Sequence, residues 1–187
     1  MARAARRTDV SAGLLVYRRN ARRIEVLLAH PGGPFWAKKD AGAWTIPKGL
    51  AETAADSDLL ATARREFTEE TGFAVQGPFL PLNPVTQTSG KIVHAFACRG
   101  NFDPAQLTSN TFEIEWPPRS GRRQSFPEVD RAAWFGLAEA IDKIIGYQRP
   151  LLLELQERLA SAYCIFTLAR AKPLANRAHL QAAPRAP

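Results

Sequence analysis

The stretch Arg65-Glu66-Phe67-Thr68-Glu69-Glu70-Thr71-Gly72-Phe73 carries the strongest signal in the sequence. Glu66, Glu69 and Glu70 have i+3 and i+4 spacing, so in a helix they share one face. Three adjacent carboxylates repel one another, and the dipole at a helix C-terminal end disfavours anions. A hard divalent cation such as Mg²⁺, which binds oxygen ligands, would remove both costs. The pattern therefore favours a metal site, and the alternative is an ordinary acidic face in contact with solvent.

The residues before this stretch predict the helix that carries it. Leu60, Ala63 and Phe67 recur at i, i+3 and i+7, which is typical of one buried face of a helix over residues 57–71. Gly72 is the expected C-terminal stop. Asp56 or Ser57 is the expected N-terminal cap.

Residues 65–73 also resemble the second half of the Nudix box, which reads Arg-Glu-apolar-any-Glu-Glu-any-Gly-apolar, at every specified position. Further similarity extends over roughly residues 10–160, and the chain looks closest to bacterial Nudix proteins described as predicted nucleotide pyrophosphohydrolases. The similar segments are Pro47-Lys48-Gly49 at the entry to the box, Ser11-Ala12-Gly13, Ala43-Trp44-Thr45-Ile46, and Pro127-Glu128-Val129-Asp130 ahead of Trp134.

The first half of the box departs from the family pattern. Counted back from Arg65, the box glutamate falls at Ser57 and the box glycine at Ala51. Counted forward from Gly49, the glutamate falls at Ala55, and the box is two residues longer than usual. Neither register supplies the first glutamate, and the acids available to replace it are Glu52, Asp56 and Asp58.

The resemblance implies an α/β/α sandwich with a mixed central β-sheet and a metal-dependent hydrolase. It implies Mg²⁺ or Mn²⁺ bound by Glu66, Glu69, Glu70 and the Gly49 carbonyl, with Glu66 as a candidate base. Arg65 is the second candidate catalytic residue: because adjacent helix residues point to different faces, we expect it to orient a box glutamate, and the alternative is that it touches the substrate. The ion would neutralise diphosphate oxygens and activate a water. The implied substrate is a nucleoside diphosphate linked to another moiety, such as a nucleoside triphosphate or a dinucleoside polyphosphate. The alternative is a catalytically weak module that binds nucleotides or RNA.

A further metal ligand in this superfamily often comes from a late loop, and Glu128 is the candidate for it. Its alternative role is a structural salt bridge. Glu113 and Glu115 are less favoured, because alternating residues around Ile114 can both face solvent in a strand.

Basic and aromatic residues supply the candidates for substrate binding. Arginine and lysine match phosphate oxygens, although a solvated turn is an equal alternative for the arginines of residues 119–123. Phe35 and Trp36 lie in a long loop and could stack on a base, whereas the other tryptophans are expected to pack in the core or on strands. The basic candidates are Lys38, Lys39, Lys48, Arg119, Arg122 and Arg123. The tryptophans are Trp44, Trp116 and Trp134, and His30, His94 and His179 have no metal-ligand spacing.

Charge and composition place the chain among ordinary globular proteins. The chain has 187 residues, 45% of them hydrophobic, and a net charge of +7. Residues 8–160 carry 18 basic and 18 acidic side chains, so the excess lies in the two ends. Basic ends favour weak attraction to polyanions rather than specific nucleic-acid binding.

The sequence divides into three parts. Residues 1–8 are predicted to be a flexible basic arm, residues 9–161 the catalytic domain, and residues 162–187 a basic tail whose order the sequence leaves open. Strands are predicted at 11–17, 24–29, 44–46, 91–98 and 111–116, with helices near 137–145 and at 150–161. No apolar run is long enough to span a membrane or form a secretory leader. Two cysteines without a spacing motif favour free thiols in the cytoplasm.

Overall fold

The computed structural model describes residues 9–21, 23–51 and 58–170, with only the backbone described at 162–170. The helices are α1 Leu59–Thr71, α2 Leu137–Lys143 and α3 Arg149–Arg170. The strands are β1 Val10–Asn20, β2 Arg23–Pro31, β3 Lys48–Leu50, β4 Phe79–Pro81, β5 Val85–Thr86, β6 Ile92–Arg99, β7 Thr111–Glu115, β8 Arg123–Pro127 and β9 Val129–Gly136.

Most of the strands form one mixed sheet in the order β4-β6-β1-β2-β9, with β3 paired to β1 and β5 paired to β6. The pairing of β1 with β6 is parallel, and the other pairings are antiparallel. β7 and β8 form a separate antiparallel hairpin. The prediction of a mixed central sheet is therefore confirmed.

Helices cover both faces of the sheet, because the central strands are apolar on both sides. Successive side chains of a strand point to opposite faces. Leu14 and Val16 of β1 accordingly share a cluster with Ala63 and Phe67 of α1. Leu15 of β1 belongs to the second cluster, with the apolar residues of α2 and α3. This arrangement is the α/β/α sandwich that the sequence predicts.

The predicted helical stripe packs as expected. Ala63 and Phe67 are fully buried, and Leu60 is partly buried against the same cluster. The helix begins two residues later than predicted, since Leu59 is its first residue and Asp58 is its N-cap. The predicted caps Asp56 and Ser57 lie outside the described residues.

Other boundaries also differ from prediction. Residues 44–46 make isolated bridges, Ala29 with Thr45 and Trp44 with Ile144, rather than a strand. Pro47 cannot donate to a ladder, so regular pairing starts only at Lys48. The strands that sequence patterns missed are β3, β4, β5, β8 and β9. The first four are short or exposed, and β9 joins the charged Asp130 and Arg131 to a short apolar stretch, so none of them has a clear periodicity. α3 continues to Arg170, beyond its predicted end at residue 161.

Cys98 is a free, buried cysteine on β6. Burial raises the pKa of its thiol to about 12, so it remains protonated and is a structural residue. No helix in the described part of the chain is long and apolar enough to cross a membrane.

We expect Phe67→Ala to lower the free energy of unfolding by about 3–5 kcal/mol, because it leaves a cavity between α1 and the sheet. Urea unfolding followed by circular dichroism measures the change. Leu153→Ala is the control, since Leu153 is 47% exposed on α3 and its truncation should cost under about 0.5 kcal/mol. Equal costs for the two variants would contradict the packing described here.

Candidate active site

The site is built on α1, whose two ends are held by specific contacts. The Asp58 side chain accepts a hydrogen bond from the Ala61 N–H at 2.9 Å and so caps the first turn. Gly72 ends the helix at φ 75°, a left-handed conformation that favours glycine, and its N–H donates to the Thr68 carbonyl. The glutamates of the last two turns are thereby held on a helix with a defined end. Asp58, one of the acids available to replace the first box glutamate, is used as the cap.

Gly49 on β3 lies directly against the carboxylate of Glu66. An added Cβ at Gly49 would come within 1.7 Å of Glu66 Oε2, so any side chain there would displace that carboxylate. β3 itself reaches this position because Gly13 on β1 allows it to approach, since a Cβ at Gly13 would lie 2.5 Å from the Pro47 carbonyl oxygen. Two glycines thus bring the predicted carbonyl ligand and a predicted carboxylate ligand together.

Arg65 connects two of the box glutamates. Its Nη2 lies 2.8 Å from Glu66 Oε1, and its Nη1 lies 3.0 Å from Glu69 Oε2. The Glu66 side chain is 14% exposed, whereas that of Glu69 is 40% exposed. This geometry supports Arg65 as a residue that orients the box carboxylates, which is the role the resemblance implies.

Glu70 is the most buried of the three glutamates and faces β3. Its Oε2 accepts a hydrogen bond from the Lys48 N–H at 3.0 Å. Burial raises the pKa of Glu70 to about 7, and the charge and N–H of Lys48 lower it only in part. The neighbouring carboxylates of Glu66 and Glu128 raise it further.

Glu66 shows the same electrostatic pattern. Burial raises its pKa, and Arg65 opposes this rise while Glu69 and Glu128 add to it. Glu128 therefore lies within electrostatic reach of both Glu66 and Glu70. Sequence spacing alone does not reveal this, because Glu128 is far from the box along the chain.

Backbone contacts position Glu128 between the hairpin and β9. Its N–H donates to the Asn110 carbonyl at 2.8 Å, and its own carbonyl accepts from the Gly32 N–H at 2.9 Å. The Asn110 N–H in turn donates to the Glu69 carbonyl at 3.1 Å. The exposed Glu128 side chain is thus attached to the end of α1 through a short chain of backbone hydrogen bonds. It forms no salt bridge with any described residue, and its role as a metal ligand stays a prediction.

The donor chemistry of these residues fits a divalent cation. Carboxylate and carbonyl oxygens are the ligands that Mg²⁺ and Mn²⁺ prefer. A cation would also offset the raised pKa values of Glu66 and Glu70, which reflect buried negative charge with too little compensation. Within residues 9–21, 23–51 and 58–161, no three acidic, His or Cys side chains already converge in a ligand arrangement. Glu52 and Asp56, the remaining replacements for the first box glutamate, lie outside the described residues.

The predicted basic residues separate into distinct places. Lys48 lies beside Glu70 on β3, and Lys39 lies with its Nζ 4.4 Å from the Trp36 ring centroid. Arg123 begins β8 and pairs with Glu113 at 3.2 Å. Residues 119–123 were predicted as a loop, and the structure makes them the turn of the β7–β8 hairpin and the first residue of β8. Lys38, Arg119 and Arg122 are exposed in the loop and the turn.

Aromatic residues also divide between core and surface. Trp44 is 5% exposed and packs edge-on against Phe135, as predicted for a core residue. Trp134 packs below the Arg18 guanidinium at 4.3 Å. Trp116 instead lies on the hairpin, where its ring meets Phe35 in an edge-to-face contact at 5.3 Å. Phe35 is 62% exposed.

His30 is a residue to which sequence spacing assigned no role. It is fully buried, with Nδ1 2.8 Å from Asp130 Oδ1 and Nε2 2.8 Å from the Lys39 carbonyl oxygen. It therefore attaches the end of the 31–39 loop to β9. Its position directly before Pro31-Gly32-Gly33-Pro34 was the available signal for such an anchor.

A family model described as NUDIX domain matches residues 7–155 of the chain. The protein therefore belongs to the NUDIX family, whose members are typically pyrophosphohydrolases of a nucleoside diphosphate linked to another moiety and typically use divalent metals. The predicted domain over residues 9–161 stays a prediction, as do the individual site residues. A search of curated protein sequences finds no significant match.

Solved structures share this fold at low sequence identity. The NUDIX domain of Shewanella oneidensis NrtR complexed with ADP ribose has a TM-score of 0.58 and 16% identity, covering 83% of this chain and 91% of that one. A Caenorhabditis elegans Ap4A hydrolase binary complex has a TM-score of 0.54 and 23% identity, covering 81% and 98%. A mutT/nudix family protein from Listeria innocua has a TM-score of 0.53 and 14% identity, covering 86% and 99%.

The raised pKa of Glu70 predicts that metal-free protein loses stability as pH rises. An unfolded glutamate releases its proton near pH 4.5, whereas folded Glu70 holds it until about pH 7. Between these values the folded state binds more protons, so the free energy of unfolding falls with pH, by about 3 kcal/mol in total. The contribution of Glu70 to the free energy of unfolding is fully present below about pH 4.5 and is lost above about pH 7.

Urea unfolding in EDTA between pH 4.5 and 8 measures this slope. Glu70→Gln should make it shallower, because an amide does not titrate and its oxygen can still accept the Lys48 N–H, whereas the raised pKa of Glu66 leaves a smaller slope of the same sign. Glu157→Gln, at an exposed position on α3, should retain the wild-type slope. A Glu70→Gln profile that follows wild type at every pH would show that Glu70 titrates normally.

Proposed function

We propose that this protein is a Mg²⁺- or Mn²⁺-dependent hydrolase that cleaves the diphosphate linkage of a nucleoside triphosphate or a dinucleoside polyphosphate. The observation that carries the proposal is the electrostatic coupling of Glu66, Glu70 and Glu128 beside Gly49. The pKa values of Glu66 and Glu70 are raised by burial and by neighbouring carboxylates, which is costly without a cation, and sites of this kind are often functional. Two cysteines without a pairing motif support a cytoplasmic location.

In the proposed reaction, the residues of the box and Glu128 have separate roles. Glu66, Glu69, Glu70, Glu128 and the Gly49 carbonyl would hold the cation, which when bound neutralises phosphate charge and lowers the pKa of a water. Arg65 keeps the carboxylates of Glu66 and Glu69 in place. Glu66 accepts the proton of the attacking water at its carboxylate. The water oxygen forms a bond to phosphorus, the bond to the bridging oxygen breaks, and a phosphate or nucleotide leaves.

We assign the basic residues to binding the phosphates of the substrate. Lys48, beside Glu70, is the nearest of them to the carboxylates and would bind the phosphate chain. Lys38 and Lys39 in the 31–39 loop, and Arg119, Arg122 and Arg123 at the hairpin, would bind phosphates further from the cleaved bond.

A second candidate function is a catalytically weak NUDIX module that binds nucleotides or RNA. The first half of the box favours it, because Ser57 and Ala55 stand where a glutamate is expected in either register. A panel of nucleoside triphosphates, dinucleoside polyphosphates and nucleotide sugars, incubated with Mg²⁺ and assayed for phosphate and pyrophosphate, separates the two. Turnover supports the hydrolase, whereas tight binding with no turnover of any compound supports the module.

Glu69→Gln and Glu70→Gln should each lower kcat by about 10–100-fold or more, since each removes a ligand charge. Metal-free stability should not fall, and removing a like-charge pair gains about 0.2–0.5 kcal/mol. In Glu70→Gln, the loss of a charge that burial disfavours adds to this gain in stability. In Glu69→Gln, the loss of the ion pair with Arg65 offsets it. Thermal melts with and without Mg²⁺, beside single-site rates, measure both effects.

Glu157→Gln is the matched control and should leave rate and melting unchanged. The metal-site assignment of Glu69 and Glu70 is wrong if their variants melt markedly lower in EDTA yet keep wild-type turnover.

A further inference from the structure

Gln148 is a buried polar side chain that the proposed reaction does not use. It ends the single-turn 3₁₀ helix Gly146–Gln148, which connects α2 to α3, and it has no exposed surface. Burial of an amide costs free energy unless its polar atoms are hydrogen-bonded, and glutamine is mostly found at protein surfaces. Every buried side-chain N or O atom among the described residues has a hydrogen-bond partner. The partners of the Gln148 amide therefore indicate its role.

The amide of Gln148 is directed at the segment that leads into β3. Its Oε1 accepts the Ile46 N–H at 3.0 Å, and its Nε2 donates to Thr45 Oγ1 at 2.8 Å. Nε2 also donates to the Tyr147 hydroxyl oxygen at 3.0 Å. Because a backbone N–H can only donate, the Ile46 contact determines which end of the amide is the oxygen.

Ile46 lies where this segment changes its partner strand. Thr45 exchanges two backbone hydrogen bonds of 2.9 Å with β2, whereas from Lys48 onward the chain pairs with β1. Pro47, between the two ladders, has no N–H to donate. The hydrogen bond from the Ile46 N–H to Gln148 therefore holds the backbone at the point where it passes from one strand to the other.

The residues directly after this point belong to the carboxylate site. The Lys48 N–H donates to Glu70 Oε2 at 3.0 Å, and Gly49 lies against the carboxylate of Glu66. A single proline, whose ring fixes its φ angle, separates Ile46 from Lys48. A displacement of the Ile46 backbone would therefore be passed on to both site residues of β3.

The connection between α2 and α3 holds Gln148 in turn. The Gln148 N–H donates to the Ile145 carbonyl at 2.9 Å, and the Ile145 N–H donates to the Trp44 carbonyl at 2.7 Å. The Trp44 N–H donates to the Lys143 carbonyl at 3.0 Å. The connection thus holds the segment at Trp44 through backbone hydrogen bonds and at Ile46 through the Gln148 side chain.

We propose that Gln148 is a positioning residue of the carboxylate site. By accepting the Ile46 N–H, it fixes the segment 45–49 and so places the Lys48 N–H and the Gly49 carbonyl beside the carboxylates of α1. Gln148 acts through the backbone of this segment and not on the substrate. The inference rests on the proposed function, since it concerns the residues that would hold the cation.

The experiment compares Gln148→Met with two controls, Tyr147→Phe and Leu155→Ala. Methionine is similar to glutamine in length but offers the Ile46 N–H no amide oxygen. Tyr147→Phe removes one partner of the Gln148 Nε2 and leaves the Ile46 contact intact. Leu155 is fully buried on α3 in the same apolar cluster as Ile46, so its truncation lowers stability without removing a hydrogen bond.

Two properties of each variant are measured without nucleotide: residue-resolved amide hydrogen exchange in EDTA, by nuclear magnetic resonance, and Mn²⁺ binding by calorimetry. Lys48 is the diagnostic amide, because Gln148→Met leaves its own partner, Glu70, in place. The amides of β2 are the reference, because a loss of global stability speeds the exchange of all protected amides together.

In Gln148→Met we expect the Lys48 amide to exchange about tenfold or more faster relative to the amides of β2. We expect Mn²⁺ to bind about fivefold or more weakly, whereas Tyr147→Phe should change both properties by less than about twofold. Leu155→Ala should speed exchange at Lys48 and in β2 by a similar factor and leave Mn²⁺ affinity within about twofold of wild type.

The proposal is overturned if Lys48 exchange in Gln148→Met follows wild type, or rises only by the factor that all protected amides share. If Gln148→Met does not fold, Gln148→Glu is the second variant, since its carboxyl group keeps an oxygen that can accept the Ile46 N–H. Retained protection at both Ile46 and Lys48 in that variant supports the proposal. Loss of protection at Lys48 while Ile46 stays protected overturns it.

Failure of this proposal is distinguishable from failure of the proposed function. Faster Lys48 exchange and weaker Mn²⁺ binding in Gln148→Met, with no turnover of any nucleotide by wild type, would overturn the hydrolase and leave the role of Gln148 standing. Nucleotide turnover with the same rate and the same Mg²⁺ dependence in Gln148→Met as in wild type would overturn the role of Gln148 and leave the hydrolase standing.

Discussion

The contact between Gly49 and the Glu66 carboxylate is the constraint around which the site is arranged. A side chain at position 49 would occupy the space of the Glu66 oxygens and displace that carboxylate, so glycine at this position lets β3 lie directly against it. Gly13 makes the same allowance one strand further into the sheet. Because the apolar face of α1 is fixed on the sheet by Phe67, its acidic face has one available position, which is against the end of β3.

This packing has an electrostatic cost. Glu70 is buried with one backbone N–H and one lysine charge as compensation, and its pKa rises to about 7. Natural proteins retain such cost mainly where function requires it. Arg65 forms ion pairs with Glu66 and Glu69 on the more exposed side of the cluster, whereas Glu70 faces the interior. These separate partners, Arg65 for Glu66 and Glu69 and Lys48 for Glu70, explain how the helix stays folded without a cation although three carboxylates share one of its faces.

The hairpin and the 31–39 loop extend the site beyond the helix. Both are connected to Glu128 by backbone hydrogen bonds, through Asn110 and Gly32. The backbone that presents this late acid therefore also carries Phe35 and Trp116, whose rings meet edge to face.

Local patterns in the sequence determined the helix, its buried stripe, the family and the acidic face, because each depends on spacing within a few residues. The strands β1, β2 and β6 were equally predictable, since their apolar runs are long, whereas β9 was not. The family resemblance made Glu128 a candidate ligand, but only the tertiary structure brings it within electrostatic reach of Glu66 and Glu70. Tertiary structure alone decided that His30 anchors the loop through Lys39 and that Phe35 meets Trp116. Those pairs are separated by tens of residues or by a hairpin whose short, exposed strands have no periodic signal. Their proximity follows from sheet order and from glycines that permit close approach, and neither is encoded in local spacing.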